Sequence, residues 1–452
     1  MAADPARRLA EHVAATGFAA IPEATIAATK RDVLDTFGCL LGGTGAPGID
    51  VLLRLAAHRG GRAEATVVLH GTRLPAPEAA LINAAMAHAL DFDDTLDHGC
   101  SIHPGAAVLG ASLAAAELTG ASGRDFVRAE ALGLDVACRI ALAATVDRGW
   151  HRTSAIGVFG AAAAAGVLLG LDAARMEHAL GIALSFASGS RQCIVDGALT
   201  KRLQAGMAAR DGLLSAQLAA EGFTGTTGTL AGRFGFYELY QPGGYDLARV
   251  TDGLGTAFRG DELSFKPYPC GRPLHATLDA ALSLREELGI AGAADIEAVT
   301  VTLDRAIYQD QFEAGPHRAA PTQIVEAQFA LPFLVAVALL RGKVGIGEVA
   351  NVEDADVRAL AARIRGEAAA EPHGRDWARV TLRATSGRTA TRATGIALGA
   401  PERPLSAAQS EAKFRDCAAN AARPIAADAA TRLLDALRSL ENLPDVSALV
   451  RA

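Results

Sequence analysis

Thr153 to Leu171 carries no charged side chain and is built mostly from Ala, Gly and Ser. A run of that length lies at the threshold for a membrane-crossing helix, so its reading constrains the whole chain. Its neighbours are ordinary amphipathic helices, and its own side chains are small. It therefore reads as a helix buried in a protein core, where small residues let neighbouring backbones approach closely. The hydrophobic fraction is 50% but the aromatic fraction only 5%. Apolar content carried by Ala, Leu and Val favours packed helices over an aromatic-rich sandwich.

At 452 residues the chain exceeds one compact core and predicts more than one domain. Helical patterns cover residues 4–18, 23–42, 78–93, 104–118, 122–144, 174–187 and 204–221. Ala65 to Leu69 reads as a short extended segment. The character changes at Phe265. Lys266-Pro-Tyr-Pro-Cys-Gly cannot be regular structure, because two prolines fix dihedrals and remove donors. After a helix over 274–288, Ile296 to Leu303 reads as a strand. Trp377–Thr385 and Thr389–Ile396, flanking Ser386-Gly387, read as a hairpin. Helices near 323–340 and 353–366 lie between. Ser406 with Gln409 forms a capping box, and helices resume. The expected fold class is mainly α: a helical domain of residues 1–264 and 400–452, with a smaller α+β domain of residues 265–399 inserted into it.

The net charge of -7 and the lack of a basic stripe argue against a nucleic-acid partner. Six scattered cysteines with no C-x-x-C pair argue against a zinc site or a disulfide framework and suit a reducing cytoplasm. Met1 to Arg8 lacks a signal-peptide core, and no membrane association is expected. No phosphate-binding glycine motif is present.

Polar chemistry concentrates in His88–Gly105, HALDFDDTLDHGCSIHPG. Asp91, Asp93 and Thr95 spell D-x-D-x-T, a phosphatase nucleophile motif that must end a strand; here the preceding pattern is helical. A Mg²⁺-diphosphate reading needs a second acidic cluster, and none is found. On helical spacing His88, Asp91 and Thr95 share one face while Asp93 and Asp97 share another. Asp93, Asp94 and Asp97 are accordingly assigned structural or solvated roles. His103 precedes Pro104, so its ring projects from an extended segment at a helix start, a setting for either capping or catalysis. Lys201 and Arg202 begin the 204–221 helix, where they form either an anion site or a solvated pair. Lys266 in the proline turn is similar. His275 begins the next helix and can pair with Asp279. Arg191 and Tyr308 are further candidates.

Six stretches, in order, carry a resemblance: PAPEAALINAAMAHALDFDDT followed by HPG, GWHRTSAIGVFGAAAAAG, LTKRLQAGMAARDGLLSAQLAAEGFTG, FKPYPCGRPLHATLDA, EAQFALPF and PLSAAQSEAKFRDCA. Together they resemble the MmgE/PrpD family, which includes 2-methylcitrate dehydratase, cis-aconitate decarboxylase and iminodisuccinate epimerase. The resemblance implies a helical domain made from both chain ends, an α+β lid, a homodimer, and a cleft site with no metal or organic cofactor. Asp91, Thr95, His103, Lys201, Lys266 and Tyr308 match polar site positions. Gly271 stands where the decarboxylase branch has a histidine, which favours the dehydratase type.

The resulting expectation is a cofactor-independent lyase acting on a hydroxy di- or tricarboxylate by removal of an alpha proton. Lys201, Lys266 and Arg202 bind carboxylates, with Thr95 and His275 also in the substrate site. His103 transfers the proton, Asp91 orients or charge-tunes it, and Tyr308 is a second proton donor. Epimerisation of a substituted dicarboxylate, decarboxylation of a cis-aconitate-like acid and non-catalytic binding are the alternatives.

Overall fold

A computed structural model describes residues 4–451; Met1 to Ala3, part of the segment read for a signal peptide, lie outside it. The uncharged stretch forms the helix Gly157–Leu168, buried at every position. It packs against the helices Thr200–Ala220, Gly123–Ala143 and Pro104–Thr119. Its composition follows from how close these neighbours come. A Cβ on Gly160 would lie 2.7 Å from the carbonyl oxygen of Gly133, and one on Gly133 would lie 2.8 Å from that of Gly160. Side chains at this crossing would force the helices apart, at a cost of about 1–3 kcal/mol. No helix among the described residues is long and apolar enough to cross a membrane.

Two large hydrophobic cores form. One joins residues between Ala6 and Leu263 to residues between Phe414 and Val450. The other lies between Tyr268 and Ala397. The helix Ala407–Ala419, opened by the Ser406–Gln409 capping box, returns the chain to the first core by packing on Glu23–Gly43. The fold is mainly α with a small α+β portion. Its four-stranded sheet has the order Arg365–Ala368, Ile296–Leu303, Ala378–Ala384, Thr389–Thr394. The last three strands are antiparallel neighbours, as the Val/Thr-rich run and the hairpin signal predict.

Several expected boundaries move. The helix read over 353–366 is only Ala355–Ala361, and Arg365–Ala368 instead pairs in parallel with Ile296–Leu303. The helix read over 323–340 splits into Ile324–Ala327 and Leu331–Arg341, with Pro332 in the opening turn of the second. The extended segment at Ala65 shrinks to Ala65–Thr66, paired with Arg73–Leu74. All six cysteines are buried and free.

Candidate active site

The site begins where a helix stops. Ala76–Ala87 ends with His88 at its C-cap, not at residue 93 as its alanine periodicity suggests. Asp91 takes a left-handed φ of 51°, which Asp tolerates better than most residues. Side chains from 88 to 94 bond outward and so compete with continued helix. Leu90 and Phe92, on either side of Asp91, pack with Cys39, Cys417 and Ile346. Lys413 clamps the turn from the returning helix: its Nζ donates to the Phe92 carbonyl at 2.7 Å and to Asp35 Oδ1 at 2.6 Å. Thr95 then pairs through its backbone with Ser264. Helical-face arithmetic therefore fails here, and Asp91 and Asp93 are both buried in one cluster.

Asp91 receives two ammonium groups from distant parts of the chain. Lys201 Nζ donates to Oδ1 at 2.6 Å. Lys266 Nζ donates to Oδ2 at 3.0 Å and to the Asp91 carbonyl at 2.8 Å. All three side chains are buried. Burial works against the Asp91 charge, but Lys201 and Lys266 outweigh it and hold its carboxyl well below the usual range. Lys201 also donates to His88 Nε2 at 2.8 Å. On the far side of that ring, His88 Nδ1 donates to Asp93 Oδ2 at 2.6 Å. The helix containing Lys201 starts at Thr200, four residues before the expected start, so this lysine lies in its first turn.

His103 sits at the N-cap of Pro104–Thr119, yet its ring makes no capping bond. Asp94 does that work: both its carboxylate oxygens accept from Gly105 N at 3.1 Å. His103 Nδ1 donates to the Asp94 carbonyl at 2.6 Å, and its backbone N donates to Thr153 Oγ1 at 3.2 Å. Asp91 makes no hydrogen bond to His103 among the described residues; of the expected orienting or charge-tuning contact only the second is present, the Asp91 charge opposing the lowering of the His103 pKa while the Asp94 carbonyl holds the ring. Burial, then the Lys266 charge, lowers the His103 pKa to about 3. The ring is neutral, with its proton on Nδ1 and a lone pair on Nε2. Of the structural or solvated roles open to Asp93 and Asp94, burial leaves the structural one: both side chains are fully buried.

The other expected site residues are distributed unevenly. Thr95 is buried, and its hydroxyl has no protein partner. Arg202 turns away from Lys201 and donates to the Pro47 carbonyl at 3.0 Å. His275 is buried against Tyr268, and its Nε2 donates to the Cys270 carbonyl at 3.1 Å. It does not pair with Asp279, which accepts from Tyr268 and Arg403. Tyr308 is half-buried and stacks on Phe312. Among the described residues, no hydrogen bond joins His275 or Tyr308 to the lysine cluster. Arg191 is a surface partner of Asp147.

Sequence reasoning missed His151, whose buried ring lies 5.7 Å from that of His88, centroid to centroid. It also missed Arg272, which bonds Asp97 at 2.8 Å across the two cores, and Phe329, whose ring centre is 5.8 Å from Lys201 Nζ. The histidine-rich text of 88–103 and the GWHRTS loop are the only signals that pointed at the rings.

His88, Asp93 and His103 bring ligand-type atoms within 4.8 Å of one another. The bonds already made argue against a cation there. Both His88 nitrogens are engaged, by Asp93 and Lys201, and His103 Nδ1 is engaged by Asp94. Only Asp93 Oδ1 and His103 Nε2 remain, beside two ammonium groups, and this donor set does not fit a divalent metal.

Behind the cluster lie further buried acids. Among the described residues the Asp32 carboxyl has no hydrogen-bond partner, and Glu130 has only the nearby Ser112 hydroxyl to oppose its shift. Burial raises the Asp32 carboxyl well above its usual range, with Asp94 adding to the shift. Burial also raises Glu130 from 4.5 to about 8. A raised acid favours the protonated fold. Its stabilisation is complete below the unfolded pKa and is lost as pH rises toward the folded one, at about 1.4 kcal/mol per pH unit. Glu130→Gln is therefore expected to melt several degrees higher than the parent at pH 8, with the gap closing toward pH 5. Parallel melting curves across that range would remove Glu130 as the titrating group.

Residues 7–247 match the MmgE/PrpD N-terminal domain and residues 268–439 the MmgE/PrpD C-terminal domain. The chain is 28% identical to cis-aconitate decarboxylase of Mus musculus, an alignment covering 95% of this chain and 89% of that protein. It is also 28% identical to cis-aconitate decarboxylase of Homo sapiens, covering 95% and 90%. Identity to cis-aconitate decarboxylase of Aspergillus terreus is 28%, covering 74% and 71%. With both domain matches in order and together spanning most of its length, the chain belongs to the MmgE/PrpD family.

Proposed function

We propose that this protein is a cofactor-independent lyase that removes a proton alpha to a carboxylate in a small di- or tricarboxylate, with dehydration of a hydroxy acid as its reaction. The observation that carries the reading is the convergence of Lys201 and Lys266 on one buried carboxylate beside the unprotonated Nε2 of His103. In the free protein Asp91 occupies both ammonium groups. A substrate carboxylate takes its place on them. His103 Nε2 then accepts the alpha proton, and the lysines stabilise the negative charge that develops on the enediolate. Hydroxide leaves the adjacent carbon with a proton from a lid donor, for which Tyr308 is the expected group, and a carbon–carbon double bond forms. The Thr95 hydroxyl, which has no protein partner among the described residues, is the substrate hydrogen-bond donor in this reading. Residues 265–399, which supply Lys266, act as the lid over a domain of residues 1–264 and 400–452. A cytoplasmic homodimer completes the reading.

Decarboxylation is the second reading, favoured by the names of the relatives. The local packing weighs against it. A Cβ at Gly271 would lie 2.9 Å from the Phe329 ring, so this ring fills the space a histidine would need. Incubating hydroxy polycarboxylates and cis-aconitate with the protein in D₂O, followed by ¹H NMR, separates the reactions. Dehydration yields a new vinylic signal. Release of CO₂ from cis-aconitate supports decarboxylation, and deuterium gain without loss of water supports epimerisation. Either of the last two would overturn the dehydratase reading.

A further inference from the structure

Arg202 is a buried cation with no anionic partner. The residue is only 4% exposed. Among the described residues its one protein hydrogen bond goes to the Pro47 carbonyl, which leaves four of its five N–H groups without a described protein acceptor. Among the described residues no carboxylate lies within ion-pair distance of it. Its guanidinium pKa is lowered to about 10 by burial alone, with no acid to offset the shift. Burying an uncompensated charge is costly, and proteins normally pair such groups.

This guanidinium lines a cavity of about 140 Å³ whose other walls are largely apolar, among them Leu90, Pro269, Ile324, Ile346 and Val349. None of Asp91, Lys201, Lys266 or His103 lines it, so it is a different space from the lysine cluster. Lys201 and Arg202 are consecutive on one helix, yet Lys201 bonds Asp91 while Arg202 lines the cavity. Among the described residues no second cation lines the cavity. At roughly 30 Å³ per water-sized group, about five such groups fit, which is close to the six heavy atoms of a four-carbon monocarboxylate.

We propose that this cavity is a binding site for a short-chain aliphatic monocarboxylate. The carboxylate pairs with Arg202, and an alkyl tail of about three carbons packs against Ile346 and its apolar neighbours. One fixed cation selects one anionic head, and the apolar wall selects the tail. The inference stands apart from the reading of the lysine cluster as a lyase site.

Calorimetric titration of the full-length protein with butyrate, acetate, butylamine and inorganic phosphate tests it. Butyrate should bind more tightly than acetate, and butylamine should not bind. Arg202→Gln should weaken butyrate about tenfold or more, and Ile346→Phe, which fills the cavity, should do the same. Lys266→Met, in the other cluster, should leave butyrate affinity within about twofold. Equal butyrate affinity in the parent and Arg202→Gln, both folded by circular dichroism, would overturn the proposal. So would phosphate binding more tightly than butyrate, or loss of butyrate binding in Lys266→Met alone, which would place the ligand on the lysine cluster. Failure of the dehydration assay leaves this result untouched, because the titration follows binding and not turnover.

Discussion

His103→Ala should lower kcat by about 10²–10⁴-fold, the usual contribution of a positioned acid–base group, while the melting temperature changes little. The ring is held by one bond, from Nδ1 to the Asp94 carbonyl. The helix start is capped independently by the Asp94 carboxylate on Gly105 N, so the fold does not need the imidazole. The His103 backbone bond to Thr153 also survives the substitution. The pH dependence follows from the charge around the ring. A base must be unprotonated, and burial with Lys266 lowers the His103 pKa to about 3. The acid limb of kcat/KM attributable to His103 should therefore lie well below pH 6. A bound polycarboxylate offsets the Lys266 charge, so the limb seen in kcat should move to higher pH than that in kcat/KM. Steady-state kinetics from pH 8 down to about pH 3 measure both. Full turnover in His103→Ala removes this residue from the chemistry.

Asp91→Asn should lose activity and stability together, and anions should recover part of the stability. The substitution leaves two buried ammonium groups facing a neutral amide. Breaking a buried ion pair from one side costs about 3–5 kcal/mol, for a fall in melting temperature of roughly 3–5 °C in a chain of this size. Exchange of Asp91 for substrate on the lysines also has a signature that simple destabilisation lacks. If substrate carboxylates displace Asp91 from Lys201 and Lys266, removing its charge frees the lysines for them. Citrate should then raise the melting temperature of Asp91→Asn more than that of the parent protein. Equal citrate shifts in the two proteins would mean that these lysines are structural partners of Asp91 and do not hold substrate.

Features that rest on local pattern were legible in the sequence. The Val/Thr run at 296–303, the Ser386-Gly387 hairpin and the Ser406 capping box all appear in place, because turn chemistry and alternation decide them within a few residues. The Ala/Gly-rich stretch at 157–168 is a buried helix because contacts at the Gly133–Gly160 crossing tolerate nothing larger. What failed was long-range. The helix before Asp91 stops early because Lys201, Lys266 and Lys413 arrive from 110 or more positions away and claim its polar groups. Nothing near residue 91 announces them. For Asp93 and Asp94 the sequence left structural and solvated roles open for the same reason: their partners, His88 and Gly105 N, face them only once the turn has formed. Arg365–Ala368 was missed because a short strand at a sheet edge carries little hydrophobic signal.

The central claim is that Lys201 and Lys266 exchange Asp91 for substrate beneath His103. A crystal structure of His103→Ala with the polycarboxylate identified by the D₂O assay tests it most directly. The account predicts substrate carboxylate oxygens within about 3 Å of both Nζ atoms, Asp91 displaced from at least one of them, and the alpha carbon facing the space vacated by the imidazole. A ligand bound elsewhere, with both lysine–Asp91 pairs intact, would contradict it.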